Sequence, residues 1–135
     1  MRMATIAAGF LGLVVTGPAM AGDVLEGQMI YWRYCSSCHG EEADGMGPMR
    51  PVLVVAPKDL TALTRENGGV FPLARVIARI DGRDALVSHG SEMPVYGDFF
   101  NEGGRVLLPA EDGEVVETSG AVADLVAYLK SKQDG

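Results

Sequence analysis

Apolar and polar positions alternate along this chain with two different meanings. Near the start, Leu25, Met29 and Trp32 recur at helical spacing, with Tyr31 beside them. Asp23 precedes this run and Glu26 follows three residues later, a capping-box-like pattern. A helix is therefore predicted over about 24–34, ending at Cys35. Gly27 in its interior is unfavourable by propensity; either a close helix–helix crossing requires it or the helix tolerates it. In the middle of the chain Leu73, Val76, Ile77 and Ile80 fit i, i+3, i+4, i+7. Pro72 suits the first helical position and Gly82 the stop, while Arg75, Arg79 and Asp81 take the outer face. Near the end Val122, Leu125, Val126 and Leu129 mark a third helix over about 121–132, with Thr118 or Ser119 as its cap and Tyr128 alongside.

The segments between are irregular. Gly40, Gly45, Gly47 and Pro48 mark a loop. Val52–Val55, bounded by Pro51 and Pro57, has strand-like composition but no nearby partner, and reads as an extended loop. Asp59–Thr64 suits one or two helical turns. Val106–Leu108 and Glu114–Glu117 flank Asp112-Gly113, which favours a short β-hairpin at about 105–117 over a long surface loop. The fold class read from this pattern is all-α with long loops.

The first 21 residues follow another rule. Arg2 gives a positive start, an apolar run extends from Ala4 to Val15, and Ala19-Met20-Ala21 forms a small-x-small cleavage site. This is the layout of a secretory signal peptide, and the run falls short of the roughly 20 residues that span a bilayer. Cleavage is expected after Ala21, leaving a single domain over 22–135 in an exported, periplasmic setting with no membrane span.

Charge narrows the partners. The 135-residue chain carries 11 Lys and Arg against 18 Asp and Glu, a net charge of −7. Such a balance argues against nucleic acid and anionic membranes, and for partners with a basic docking face.

The chemistry lies in Cys35-Ser36-Ser37-Cys38-His39, whose two cysteines are the chain's only ones. CxxCH is the spacing of a c-type haem attachment site. Each thiol adds to one haem vinyl group, and the adjacent His supplies the proximal imidazole. A thioredoxin-like site would need a βαβ setting that the pattern lacks. A zinc site is disfavoured because His89 lies 50 residues from His39. A haem that only carries electrons needs a second axial ligand, and a thioether raises the potential relative to a second imidazole. Met29 belongs to the first helix and is expected in the core; Met46 and Met49 lie too close to His39 in sequence to reach the far haem face. Met93, in a loop stiffened by Pro94, is the expected ligand. His89 is the rival.

These residues resemble the class I c-type cytochromes, small monohaem proteins with the haem motif near the N-terminus. Gly27 and Tyr31 match the small and aromatic residues eight and four positions before the first Cys. The stretch Asp124–Lys130, with Leu125 and Tyr128, resembles the family's terminal helix, and Met93-Pro94 with Gly97 its distal loop. The resemblance implies a cytochrome c fold, with N- and C-terminal helices crossing beside a middle helix and long loops around one haem. It implies one covalent haem c on Cys35 and Cys38, with iron held by His39 and Met93. It further implies that Pro48 offers its carbonyl to the His39 Nδ1–H, tuning the ligand. The implied function is one-electron carriage between redox proteins by a monomer, as a free carrier or as the haem subunit of an oxidoreductase complex; a haem enzyme or gas sensor with an open distal site is the alternative. An apolar Val52–Val55 loop, expected to pack against the haem, and about 20 residues between the Met loop and the last helix depart from the simplest members.

Overall fold

The structure is a computed structural model; it describes residues 22–83, 93–97, 100 and 104–134. The expected signal segment and His89 lie outside the described residues.

Helix α1 (Val24–Tyr34) starts where Asp23 Oδ1 accepts from the backbone N–H groups of Leu25 and Glu26. It runs into a second short helix, α2 (Ser36–His39), through Cys35. Helices α3 (Leu63–Glu66) and α4 (Leu73–Asp81) follow. Strands β1 (Arg105–Pro109) and β2 (Val115–Ser119) form one antiparallel hairpin in which Leu107 faces Glu117. Helix α5 (Gly120–Ser131) closes the chain, and of its two candidate caps Ser119 acts, accepting from Val122 N–H at 3.3 Å. A short 3-10 turn, Arg50–Val52, stands where an extended loop is expected. Among the described residues no helix is long and apolar enough to cross a membrane.

The crossing of α1 and α5 organises the core. Gly27 explains itself here: a Cβ on it would overlap the Asp124 carbonyl and come within 2.9 Å of Tyr128 Cβ. Only a glycine lets the two backbones meet. Beside it Tyr31 is fully buried, its ring 5.1 Å from that of Tyr128. Leu125, Val126 and Leu129 of α5, Ile77 and Ile80 of α4, and Phe71 complete the cluster.

One sequence expectation is corrected. Met29 is not core: it is 57% exposed, as are its stripe-mates Leu25 and Trp32 in large part. The apolar spacing on α1 marked the wrong face. The buried face is set by Gly27 and Tyr31, because close backbone approach there takes precedence over side-chain area.

Candidate haem-attachment site

Cys35 ends α1, and the chain turns at once into α2. Cys38 N–H and His39 N–H both donate to the Cys35 carbonyl, at 3.1 and 2.9 Å. Positions 35, 38 and 39 are therefore i, i+3 and i+4 on one helical turn, which puts their side chains on one face. Gly40, at φ +84°, stops the helix. Its carbonyl accepts the buried Tyr31 hydroxyl at 2.6 Å, tying the end of the motif back to the α1–α5 crossing.

Both thiols are free and half-buried. Burial, with Cys38 adding to it, pushes the Cys35 thiol up to about 12. A thiol there stays protonated and uncharged at neutral pH, suited to a low-dielectric setting.

His39 is buried, and its Nδ1 lies 2.8 Å from the Lys58 carbonyl. A carbonyl only accepts, so Nδ1 must carry the proton. The Nε2 lone pair is then left for a metal. Burial lowers the His39 pKa, against the pull of the Lys58 bond, so the imidazole favours its neutral, ligating form.

The carbonyl in this role corrects the sequence reading, which gave it to Pro48. Gly47 N–H donates to the Cys38 carbonyl and Met49 N–H to the Ser37 carbonyl. Those bonds pin the Pro48 segment along the backbone of the motif turn. Lys58 reaches the ring by a separate route. Leu60 N–H donates to the Ala43 carbonyl at 2.7 Å, and Gly45, at φ +81°, lies so close to Pro57 that a Cβ would meet its carbonyl. Lys58 itself pairs with Glu66. No local motif marks a carbonyl 19 residues from its histidine; Pro57 and the left-handed Gly45 are the only cues.

Met93 is half-buried against the core cluster. Its loop is anchored at two points. Tyr96 N–H donates to the Ile80 carbonyl at 2.8 Å, near the end of α4. The Tyr96 hydroxyl donates to the Tyr34 carbonyl at 3.0 Å, one residue before Cys35. Gly97 lies against the Asp81 carbonyl, where a Cβ could not fit. Tyr34, Tyr96 and Phe100 pack ring to ring at 5.4–5.9 Å. Burial raises the Tyr96 hydroxyl above its ordinary value, so it stays protonated and able to donate. The loop bearing Met93 thus adjoins the start of the motif. This aromatic triad went unread in the sequence, although Tyr34, Tyr96 and Phe100 flank both motif segments.

Among the described residues no group of three or more His, Cys, Asp and Glu is gathered to hold a metal ion. One imidazole beside two free thiols fits a metal that brings its own macrocycle and is fixed covalently through sulfur.

No protein-family model matches the chain, and neither a curated protein nor a solved structure does.

Proposed function

We propose that this chain is a covalent haem-binding protein of the c type. More particularly, we read it as an exported monohaem electron carrier with His39 and Met93 as iron ligands and a cytochrome c fold. The carrying observation is the His39 Nδ1 bond to Lys58, which fixes one tautomer and leaves Nε2 free on the helical face that also bears Cys35 and Cys38.

When bound, haem supplies a one-electron ferric/ferrous couple. Cys35 and Cys38 would hold its edge as thioethers. His39 would supply one iron ligand, its ring oriented by the Lys58 carbonyl. Met93 would supply the other from a loop pinned by Tyr96 and Gly97. The Tyr31 hydroxyl, spent on the Gly40 carbonyl, keeps the motif turn rigid. Fixed ligands keep reorganisation small, as electron carriage requires. No bond-making step is assigned, so the chain is read as a carrier and not an enzyme.

The test is the spectrum of the purified mature protein, oxidised, reduced, and reduced under carbon monoxide. The expected result is a c-type spectrum with a ferric Met–iron charge-transfer band and no response to carbon monoxide. Met93→Ala should abolish the band and admit carbon monoxide. A colourless protein, or mature wild type that binds carbon monoxide at once, would overturn the reading.

A further inference from the structure

Residues 45–57 form a 13-residue stretch, Gly45 to Pro57, with one charged side chain, Arg50. Elsewhere the chain is strongly acidic. Within this stretch Val54 is 99% exposed, Val52 72% and Met46 61%, with Met49 and Val55 exposed beside them. The residues form one surface: Met46, Arg50, Pro51, Leu53 and Val54 line a single open hollow of about 470 Å³. Clustered exposed apolar side chains of this kind mark interaction sites.

The patch is held in place. Gly47 and Met49 are bonded to the carbonyls of Cys38 and Ser37, and Arg50 and Val52 N–H close the local turn onto Gly47 and Met49 at 3.0 and 3.1 Å. It is therefore preorganised and costs little entropy to dock. It also sits directly on the backbone of the haem-attachment turn.

Charge selects the occupant. Lys58 pairs with Glu66, Glu42 with Lys132, and the Asp44 carboxylate accepts from Met46 N–H. Among the described residues no carboxylate pairs with Arg50. We propose that this patch docks a redox partner protein through an apolar face carrying a carboxylate that meets Arg50. The proposal rests on the haem reading above. It reverses, at the docking face itself, the basic partner that net charge alone suggests; net charge governs long-range steering, whereas the patch governs the contact.

The experiment presents that chemistry directly. Haem-loaded mature protein is passed over gold bearing either a mixed methyl- and carboxylate-terminated monolayer or an amine-terminated one, and the retained mass is weighed on a quartz crystal. Wild type should be retained on the mixed surface. Arg50→Glu and Val54→Asp should each cut retention by roughly tenfold while the visible spectrum stays unchanged. Salt should weaken the Arg50 contribution and spare that of Val54. Equal retention of wild type and both variants would overturn the proposal. So would a preference for the amine surface that neither variant alters. A wild type that sediments as a dimer while Val54→Asp is monomeric would overturn it in favour of a second copy as occupant. A colourless preparation would refute the haem reading alone, since retained mass still scores the patch.

Discussion

Replacing Gly27 by Ala sets two effects of opposite sign against each other. In an isolated helix the change stabilises by about 1 kcal/mol, because Ala restricts the unfolded chain and favours helix. In this fold the new methyl group falls on the Asp124 backbone carbonyl and against Tyr128 Cβ at 2.9 Å. A carbonyl in a helix cannot rotate aside, so α1 and α5 must part. Overpacking of a tight core costs about 1–3 kcal/mol, and a fixed backbone neighbour places this site at the upper end. Parting the helices also loosens Tyr31, Leu125 and Tyr128, and a gap of roughly 0.5–1 Å forfeits a quarter to a half of each dispersion contact. The net expectation is a loss of about 2 kcal/mol, equivalent to a fall in Tm of about 8–10 °C for a domain of this size. Urea unfolding followed by far-ultraviolet circular dichroism on wild type and Gly27→Ala measures it. A variant as stable as wild type, or more so, would refute the close crossing, since propensity alone predicts that sign.

Other expectations follow from single contacts. Tyr31→Phe keeps the ring on Tyr128 but strands the Gly40 carbonyl, and should cost about 1–3 kcal/mol in the same unfolding assay. Ser119→Ala removes the α5 cap and should cost about 1 kcal/mol, whereas Thr118, which does not cap α5, should be indifferent in this respect. The Thr61 hydroxyl bond, aided by the Thr61 and Ala62 amides, holds the Asp59 carboxyl below its ordinary value. Because that pKa is depressed by folding, its stabilisation is present above the unfolded carboxylate value of about 4 and is lost as pH falls through the lower folded one. Asp59→Asn should therefore be less stable than wild type at neutral pH and converge with it in acid, read from urea midpoints across pH. In haem-loaded protein, Tyr96→Phe frees the Met93 loop from the Tyr34 carbonyl and should weaken the ferric charge-transfer band while leaving the thioether attachment intact.

The elements were legible where local physics dominates. The Asp23 cap, the α4 periodicity and the Asp112-Gly113 turn all act over a few residues, and the corresponding elements lie within a residue or two of expectation. Periodicity was a poor guide to burial on α1, where Leu25, Met29 and Trp32 share helical spacing yet stand exposed. Burial there is decided by how closely two backbones meet, and that signal is carried by one glycine. The motif told which residues could hold haem, since thiol and imidazole chemistry is local. It could not tell which carbonyl meets His39, because Lys58 arrives through the Ala43–Leu60 and Gly45–Pro57 contacts, which join segments about 12–17 residues apart. The exposure of Val52 and Val54 was equally hidden, because composition alone does not orient the side chains of an extended loop.

The contacts that close the domain join its two ends. Asp23 N–H donates to Asp124, and beyond α5 the last residues clasp the middle of the chain: Gln133 bridges Leu60 and Thr64, and Asp134 N–H donates to Thr61. A chain is made, and threaded through any pore, from its N-terminus onward. Cys35, Cys38 and His39 therefore emerge some 85 residues ahead of the helix that seals α1 in place. During that interval the thiols have no finished core around them. Non-local closure of this kind is also slow. If haem is attached as proposed, the motif would be reachable as an unfolded peptide until α5 arrives.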